Sequence, residues 1–394
     1  MRILISGAGI AGPTLAYWLA KYGMTPTIVE RAPTLRTGGY IVDFWGAGFD
    51  IAKRMGLQDQ LTRTGYAVRE VRVVNRGGRR VSGFPAAAFF GASRTGFTSL
   101  PRGDLAAAIF GSLAGRVETI FGDEIARIDQ TASDVVVTFE RHGPRTFDLV
   151  VGADGLHSRI RELAFGPEAS FERYLGIKVA AFEVGGYRPR DELVYVMYPQ
   201  VGQEVSRFTM RNDRTMFLFT FADRESHGPS DLSAQKALLR ERFANSGWEC
   251  PQILKALDGA TDVYFDRVSQ IELGQPAGAW TNGRVTLLGD AASCVSLLGG
   301  QGSALAMTAA YILAGELRRA DGRYQDAFAR YQELFGPFVA MKQRVARRFA
   351  GAFAPKSRLS LYLRNQLFRL LSISWIADLT AGREFSDRIA LPEY

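Results

Sequence analysis

Three short, mainly apolar runs along the chain are each followed by glycine. They are residues 2–6 (RILIS), 148–151 (DLVV) and 284–288 (RVTLL). Buried parallel strands read as continuous apolar runs, and the ligands of open α/β sheets collect at the carboxyl ends of the strands. We therefore expect three glycine-rich strand ends to converge on one cofactor.

A helix is predicted directly after the first run. Leu15, Trp18, Leu19 and Tyr22 recur at the i, i+3, i+4 and i+7 positions of one helical face. Residues 25–30 (TPTIVE) then form a second strand. The start of the chain therefore predicts a βαβ unit of the length expected for half of a dinucleotide site.

The pattern changes twice further along the chain. Residues 174–267 contain alternating runs such as 193–198 (LVYVMY) and 215–221 (TMFLFTF), which are typical of an antiparallel sheet. Residues 324–338 and 361–376 carry apolar positions at helical spacing. We expect an antiparallel sheet inserted into an α/β domain, with helices in the C-terminal part of the chain.

The glycines after the first strand fit a dinucleotide fingerprint. Residues 7–12 (GAGIAG) match G-x-G-x-x-G, in which glycine permits a tight turn and close approach of the backbone to a pyrophosphate. The predicted binding positions in this loop are Gly7, Gly9, Ile10, Ala11 and Gly12. Glu30 ends the second strand, where a carboxylate accepts hydrogen bonds from a ribose diol. A glycine-rich turn without a ligand is the alternative, and the motif alone leaves NAD, NADP and FAD open.

The third glycine-rich strand end favours a flavin. Asp290 follows Gly289, and a run of small residues leads to residues 299–302 (GGQG) and an apolar helix. Backbone N–H groups at such a place can face an anion or the edge of a flavin ring. A helix N-cap is the alternative role for Asp290.

Composition restricts the class of protein. The 394 residues are 47% apolar and 22% charged, as in an ordinary globular protein and unlike a disordered or fibrous chain. Two cysteines, Cys250 and Cys294, make no disulfide framework, and three histidines leave little for a metal centre. We interpret Cys294 as a small buried side chain. Glycine, serine and glutamine interrupt the uncharged residues 291–315, so a buried segment is expected there instead of a membrane span. No signal segment precedes the first strand, and we expect a cytoplasmic protein.

Net charge and isolated polar residues distinguish less clearly between possible functions. The net charge of +8 is compatible with nucleic acid, a membrane or an anionic cofactor, because the basic residues are spread along the chain. His157 beside Ser158 suggests a catalytic triad, but we interpret Ser158 as the N-cap of a helix that begins at Arg159. His142 and His227 lie in polar turns and are interpreted as solvated.

The motifs resemble those of the class A flavoprotein monooxygenases, which have the para-hydroxybenzoate hydroxylase fold. Residues 7–12, 152–155 (GADG), 289–290 (GD) and 299–302 stand in the order and spacing of that family. Within it, the chain looks most like the tetracycline-inactivating enzymes and the aromatic polyketide-tailoring hydroxylases. The narrower resemblance rests on residues 38–43 (GGYIVD), 100–105 (LPRGDL) and 389–392 (IALP).

The resemblance implies an α/β fold with a Rossmann-like FAD/NAD(P)-binding domain, an inserted antiparallel-sheet substrate domain and C-terminal helices. The FAD-binding domain is then formed by residues 1–70, 98–172 and 268–322, the substrate domain by residues 71–97 and 173–267, and the helical segment by residues 323–394.

The resemblance also implies roles at the cofactor. Glu30 is expected at the adenosine ribose with Arg31 beside it, Arg102 at the ribityl and pyrophosphate region, and Asp290 at the ribityl chain. Arg36 and Asp43 match positions that contact NADPH and FAD, and Asp154 with Gly155 belongs to a motif that serves both. The other implied positions are Gly289, Gly300, Gln301 and Gly302. Without the resemblance, Arg36, Arg54 and Arg102 would be interpreted as surface arginines.

The implied activity is that of an NAD(P)H-dependent FAD monooxygenase. NADPH or NADH reduces FAD, O₂ adds at flavin C4a to give a hydroperoxide, and one oxygen atom passes to a planar polycyclic or phenolic substrate. Because the flavin carries the chemistry, no catalytic side chain and no metal are expected. Aromatic and methionine side chains of the inserted sheet are expected to form an apolar wall for the substrate, with core packing as the alternative. These side chains are Phe182, Tyr195, Met197, Phe208, Met210, Phe217 and Phe219.

Two other functions stay open. Before the GGQG segment the family usually carries a histidine or aromatic residue and, four residues later, a proline, whereas this chain has Ser293 and Leu297. This departure motivates a cyclase, isomerase or ligand-binding protein that holds FAD but does not oxygenate. The other hypothesis is that the basic C-terminal helices meet anionic lipid or another subunit. Packing of those helices against the flavin domain explains their apolar positions better.

We expect a monomer or homodimer that uses O₂ and a small polycyclic aromatic substrate, with no nucleic acid and no stable membrane anchor. The sequence does not fix the substrate, the position oxidised, the choice between hydroxylation and ring-oxygen insertion, or the choice between NADPH and NADH.

Overall fold

A computed structural model describes residues 1–36, 39–87, 96–274, 280–297, 300–370 and 389–394. Gly38 and Gly299 of the quoted motifs lie outside these residues, as does the part of the second predicted C-terminal helix beyond residue 370.

A six-stranded sheet joins the three glycine-terminated runs. In spatial order its strands are β17 (Thr281–Asn282), β18 (Val285–Leu287), β11 (Leu149–Gly152), β1 (Arg2–Ser6), β2 (Thr25–Glu30) and β7 (Glu118–Phe121). All neighbours pair in parallel except β17 and β18. The carboxyl ends of β18, β11 and β1 are therefore adjacent, which confirms the predicted convergence of three strand ends.

A seven-stranded sheet holds the alternating runs. Its strands, in spatial order, are β16 (Tyr264–Ile271), β12 (Glu172–Gly185), β15 (Arg214–Ala222), β14 (Gln203–Thr209), β13 (Val194–Gln200), β4 (Glu70–Val74) and β5 (Arg80–Pro85). Only β13 and β4 pair in parallel, so the predicted antiparallel sheet is confirmed. The last two strands on one side, β4 and the edge strand β5, come from an earlier part of the chain.

Two smaller sheets complete the strands. They are β8 (Ile125–Gln130), β9 (Val135–Phe139) and β10 (Arg145–Phe147) in one, and β3 (Ile41–Trp45) with β6 (Phe97–Pro101) in the other. The second places Asp43 of β3 directly opposite Ser99 of β6.

The helices follow the predicted periodicity. They are α1 (Ala11–Lys21), α2 (Ala47–Arg54), α3 (Gln58–Thr64), α4 (Arg102–Gly111), α5 (Arg159–Phe165), α6 (Leu232–Phe243), α7 (Cys250–Asp258), α8 (Asp290–Ser293), α9 (Gly302–Ala320), α10 (Tyr324–Phe353) and α11 (Arg358–Leu370), with one 3₁₀ turn at Glu168–Ser170. Leu15, Trp18 and Leu19 of α1 are buried, which confirms the stripe. The first predicted C-terminal helix extends to Phe353, beyond the predicted residue 338.

Two apolar cores lie on different sheets. The larger packs α1, α9 and α10 with the six-stranded sheet, and the second packs α6 and α7 against the seven-stranded sheet. Most of α9 is buried, as expected for a segment of residues 291–315 inside a protein core. Within the described ranges, no helix is both long enough and apolar enough to cross a membrane.

The last residues of the chain pack on the larger core. The Tyr394 ring lies over Gly315, where a Cβ would come within 2.1 Å of the ring, and its hydroxyl donates to Glu316 at 2.7 Å. Arg54 donates to Glu393 and to the hydroxyl of Tyr311. Arg54 is thus a surface arginine that also holds the C-terminal residues on the core.

Candidate active site

One cleft lies at the adjacent carboxyl ends of β1, β11 and β18. It encloses about 410 Å³, within the range of small-molecule sites. Residues after these three strands form one side of the cleft, and residues of β12, β15 and β16 form the other. The cleft therefore runs from the six-stranded sheet to the seven-stranded sheet.

The glycine loop between β1 and α1 is shaped by close backbone contacts. Gly7 has φ of +107°, and a Cβ there would lie 2.6 Å from the carbonyl oxygen of Ala153. A Cβ on Gly12 would lie 2.0 Å from the carbonyl oxygen of Gly7. No side chain caps α1 at its N-cap Ile10, and its first turn has no acidic residue. The N–H groups of this turn therefore suit an anion.

Glu30 lies at the end of β2, across from the glycine loop. Its carboxylate accepts hydrogen bonds from the backbone N–H of Ala8 at 2.8 Å and of Ala32 at 2.9 Å. These two bonds use one lone pair on each oxygen, so the carboxylate keeps acceptor capacity for a ribose diol.

Arg102 begins α4 and faces the glycine loop. A Cβ on Gly9 would lie 3.7 Å from a guanidinium nitrogen of Arg102, and the backbone N–H of Arg102 donates to Tyr40 at 3.0 Å. The guanidinium makes no hydrogen bond or ion pair with any residue that the structure describes. A half-buried cation on a cleft, without a protein partner, fits a phosphate or ribityl group.

Replacing Arg102 with alanine is expected to weaken FAD binding by about 10- to 100-fold, because a charge-assisted hydrogen bond contributes about 1.5–3 kcal/mol. The free energy of unfolding of the FAD-free protein is expected to stay unchanged. Flavin fluorescence titration measures the affinity, and Arg116→Ala, which is outside the cleft, is the control. Equal affinities of wild type and Arg102→Ala would rule out the role.

Asp154 follows β11 and holds the start of α5. Its carboxylate accepts from the Ser158 hydroxyl at 2.6 Å and from the backbone N–H of Ile160 at 3.1 Å. Burial raises the pKa of Asp154, and the Ser158 hydrogen bond opposes this rise. The Ser158 hydroxyl also accepts from Arg161 N–H, which confirms Ser158 as the N-cap of α5. A hydroxyl engaged in this way is not a triad nucleophile.

His157 is paired with two carboxylates. Its Nδ1 lies 2.9 Å from Glu168, and its Nε2 lies 3.4 Å from Asp266 of β16. Hydrogen bonds to Asp266 and Glu168 raise the pKa of His157 from 6.5 to about 9. The imidazolium therefore joins the loop after β11 to the seven-stranded sheet. Of the other histidines, His142 is exposed, in agreement with its interpretation as solvated, and it contacts the carboxylate of Asp123.

The raised pKa of His157 predicts a pH-dependent contribution to stability. The ion pairs stabilise the folded state fully below pH 6.5, and this contribution is lost as the pH rises through about 9. The side chain is 44% exposed. We therefore expect His157→Gln to lower the free energy of unfolding by about 1 kcal/mol or less at low pH. Denaturant titrations below pH 6.5 and above pH 9 test this, and a difference that grows with pH would contradict it.

Asp290 is the first residue of α8, after Gly289. The N-cap is Gly289, and no side chain caps this helix, so the alternative role of Asp290 as N-cap was wrong. Burial raises the pKa of Asp290, and the charge of Arg102 opposes this. Cys294, four residues on, is buried, and burial raises the pKa of its thiol well above the usual value. Both features agree with a buried packing role for Cys294.

Asp43 and Tyr40 lie between the two large sheets. The Asp43 carboxylate accepts from the Ser99 hydroxyl at 2.5 Å and the Tyr195 hydroxyl at 3.4 Å. Burial raises the pKa of Asp43 despite these bonds. The Tyr40 ring packs against Tyr264 with ring centroids 5.2 Å apart, and burial raises the pKa of Tyr40 to about 12. Burial also raises the pKa of Tyr264 well above its usual value. Tyr40 and Tyr264 are therefore neutral hydroxyl groups on the cleft.

Most of the predicted cofactor residues lie on this one cleft. Those that line it are Gly7, Gly9, Ile10, Ala11, Glu30, Arg31, Arg36, Asp43, Arg102, Asp154, Gly155, Asp290, Gly300 and Gly302. Gly12, in the first turn of α1, and the helix N-cap residues Gly289 and Gln301 do not line it. Arg31 and Arg36 are exposed at its edge. Contact of each residue with the cofactor stays a prediction.

The side chains predicted to form a substrate wall do not line the cleft. Phe182, Phe217 and Phe219 lie in the second core, and Tyr195, Phe208 and Met210 lie in a third apolar cluster. Because side chains of a strand alternate between its faces, Leu218 and Thr220 of β15 line the cleft instead. Val179 of β12, Tyr264 and Leu297 join them. The sequence indicated the strands but not which face meets the cleft.

The donor groups of the cleft fit FAD. Ser296 is 4% exposed and lines the cleft, and its hydroxyl has no hydrogen-bond partner among the residues described. The carbonyl of Leu297 accepts from Gly300 N–H at 3.1 Å. The glycine loop, Glu30 and Arg102 would hold the dinucleotide part, and Asp290 and Ser296 would face the rest.

Comparison with known proteins supports this assignment. Residues 1–323 match the model of the FAD binding domain family. A flavin-dependent monooxygenase of an unknown prokaryotic organism is 36% identical over 346 residues, which cover 87% of each chain. A flavin-dependent monooxygenase of Legionella longbeachae is 31% identical, and the alignment covers 100% of this chain and 98% of that protein.

A solved structure extends the agreement to three dimensions. The crystal structure of tetracycline destructase Tet(51) superposes with a TM-score of 0.83 at 32% identity, covering 100% of this chain and 99% of that one. The fold is accordingly α/β, with an FAD-binding domain and an inserted, mainly antiparallel sheet. The family match, the full-length relatives and the cleft agree: the chain belongs to the FAD binding domain family and is a class A flavin-dependent monooxygenase.

Proposed function

We propose that the protein uses NADPH or NADH and O₂ to insert one oxygen atom into a planar polycyclic or phenolic substrate, similar to a tetracycline or an aromatic polyketide. The observation that carries the proposal is the continuity of the cleft. One end contains the dinucleotide loop, Glu30 and Arg102, and the other is lined by Val179, Leu218 and Tyr264 of the seven-stranded sheet, with Asp266 and Arg267 of β16 beside them. A flat apolar molecule at the second end would lie beside a flavin held at the first.

The reaction consumes NAD(P)H, O₂ and a proton and releases NAD(P)⁺, water and the oxygenated substrate. The chemistry that bound FAD supplies is the transfer of electrons from NAD(P)H to O₂ and of one oxygen atom to the substrate. The protein has to bind and orient the cofactor and the substrate and keep water out of the cleft. The similarity to Tet(51) supports a tetracycline-like substrate for this chain.

The chain's own residues perform these tasks at stated places. The N–H groups of the glycine loop and Arg102 bind the anionic part of the cofactor. Leu218 and Leu297 keep water from the apolar end of the cleft. The hydroxyl groups of Tyr264 and Thr220 stand on this wall and can orient a polar substituent of the substrate.

The test is NAD(P)H consumption by the FAD-loaded protein in air, with and without tetracyclines, anthracyclines and simple phenols. Substrate-stimulated consumption and a product heavier by one oxygen atom would support the proposal. NADPH and NADH are compared in parallel. A protein that binds FAD tightly but consumes neither with any substrate would instead be the non-oxygenating cyclase, isomerase or ligand-binding protein that Ser293 and Leu297 suggest.

Enlarging Leu218 is expected to impair substrate binding alone. In Leu218→Trp the indole fills part of the apolar wall, so we expect KM for the substrate to rise about tenfold or more, since a single misplaced group in a pocket costs this much. FAD affinity is expected to stay at the wild-type value. Val201→Trp, on the exposed turn between β13 and β14, is the matched control. An unchanged KM in Leu218→Trp would place the substrate elsewhere.

A further inference from the structure

The helix α11 carries an exposed apolar stripe. Leu359, Leu363, Leu367 and Leu370 are 66%, 57%, 43% and 47% exposed, and we call these four residues the leucine stripe. Their spacing of four, four and three residues places them on one helical face. Tyr362, beside them, is 59% exposed. Single exposed apolar residues are ordinary, but a contiguous group marks an interaction surface.

The opposite face of α11 is fixed to the protein. Arg364 forms a buried ion pair with Glu204 of β14 at 2.8 Å. The Phe368 and Phe84 rings lie 5.1 Å apart, and the Ser82 hydroxyl donates to the Asn365 carbonyl at 2.6 Å. The helix is thus docked on β5 and β14 by its polar and aromatic side. The leucine stripe is exposed because it is on the outer side of an anchored helix.

The charge of the chain is concentrated in this region. Lys and Arg outnumber Asp and Glu by eight in the whole chain. Residues 334–377 contain eight basic residues and no acidic residue, so the rest of the chain is neutral. The basic residues themselves are spread along the chain, but their excess over acidic residues lies in this segment.

Four of these cations face solvent. Arg344 and Arg348 of α10 are exposed, as are Lys356 and Arg358 at the start of α11. None of the four forms an ion pair with a residue that the structure describes. An apolar helical face beside exposed cations is the pattern of a helix that lies on an anionic membrane surface.

A second copy of the chain fits this surface less well. A two-fold interface brings the same patch of both subunits together, so the cations of one copy would face those of the other. Like charges across an interface oppose association. An anionic bilayer complements the cations and accepts the leucines.

We propose that α11 docks reversibly on the surface of an anionic lipid bilayer. The leucine stripe enters the boundary between headgroups and acyl chains, while Lys356 and Arg358 contact the anionic headgroups. The helix lies along the surface, in agreement with the lack of any membrane-crossing helix in the described ranges. The mode of attachment is peripheral, so it does not require a stable anchor.

The experiment is sedimentation of the FAD-loaded protein with vesicles. One set is pure phosphatidylcholine, and in the other about one lipid in three is phosphatidylglycerol, which gives the negative surface potential that attracts basic segments. We expect binding to the anionic set, little binding to the neutral set, and release from the anionic set by high salt.

Two double variants separate the two parts of the surface. Leu363→Ser with Leu367→Ser, and Lys356→Glu with Arg358→Glu, are each expected to lower the partition coefficient about tenfold or more. Arg63→Glu with Arg224→Glu removes the same charge elsewhere, and Val201→Ser removes an exposed apolar side chain elsewhere. Both controls are expected to bind like wild type. All variants are compared for melting temperature and FAD content.

Several results would overturn the proposal. One is wild-type protein that stays in the supernatant with anionic vesicles, and another is leucine-stripe variants that sediment like wild type. A dimer by light scattering that the leucine-stripe variant converts to a monomer would assign the stripe to a second copy. A lower melting temperature in that variant, without vesicle binding in wild type, would assign the stripe to packing within the chain.

Discussion

Replacing Gly12 with alanine is expected to reduce FAD affinity about 100-fold or more, because the loss of two charge-assisted hydrogen bonds to backbone N–H groups has this magnitude. The added Cβ would stand 2.0 Å from the Gly7 carbonyl oxygen and 3.2 Å from a methyl group of Ile5. The glycine loop and the first turn of α1 have to move apart to admit it. The N–H groups then no longer point to one place. Flavin retention on purification and fluorescence titration measure the effect.

Gly111→Ala is the control for this variant. Gly111 is the last residue of α4, and a Cβ there meets no atom within 4 Å. We expect unchanged FAD affinity and a free energy of unfolding that is equal or higher by up to about 1 kcal/mol, because alanine favours a helix over glycine. Wild-type FAD affinity in Gly12→Ala would show that the loop tolerates a side chain, against the contact geometry.

Arg161→Met is expected to lower the free energy of unfolding by about 2–4 kcal/mol, because two backbone carbonyls lose a charged hydrogen-bond donor. The Arg161 side chain is 0% exposed. It donates to Glu168 at 2.7 Å, to the Leu156 carbonyl at 2.7 Å and to the Ala291 carbonyl at 3.0 Å. Methionine fills a similar volume but leaves the carbonyls of Leu156 and Ala291 without this donor, while Glu168 keeps His157 and Arg267.

The same change is expected to weaken FAD binding. Leu156 follows Asp154 and Gly155, and Ala291 follows Asp290, so Arg161 joins the two strand ends that carry these residues. Denaturant unfolding of the FAD-free protein measures the stability, and flavin titration measures the affinity. Arg159→Met, in the same helix, is the control for stability alone, because Arg159 also lines the cleft; its ion pair with Glu162 is solvent-exposed, and its loss is expected to cost about 1 kcal/mol or less. Similar losses of unfolding free energy in both variants would mean that the buried contacts of Arg161 do not stabilise the fold more than an exposed ion pair does.

Local pattern was sufficient for the elements that bear the cofactor residues. The strand at residues 25–30, the stripe of α1 and the N-cap at Ser158 were predicted correctly, because each depends on neighbours within one or two turns of chain. The glycine fingerprint was recognisable for the same reason. Its spacing encodes a turn in which Gly12 packs against the Gly7 carbonyl. Gly7 in turn packs against the Ala153 carbonyl, just after the end of β11.

Contacts between segments distant in the chain could not be predicted from local sequence pattern. No local pattern marks Arg161, although its buried side chain donates hydrogen bonds to Leu156, Glu168 and Ala291. Asp290 fitted an N-cap by its position after glycine, but the backbone places Gly289 there. The apolar positions of α11 were expected to pack against the flavin domain, but the leucine stripe is exposed. A helical pattern marks an apolar face without showing whether another element covers it.

The sequence by itself therefore determined the dinucleotide loop, the first βαβ unit and the family. The tertiary structure alone decided which face of each strand meets the cleft. In β15, Phe217 and Phe219 are buried against helices while Leu218 and Thr220 face the cleft. Both faces of that strand are covered, so residues of both faces are mainly apolar and the alternation that distinguishes inside from outside is lost. Only the packing of the two large sheets and their helices resolves it.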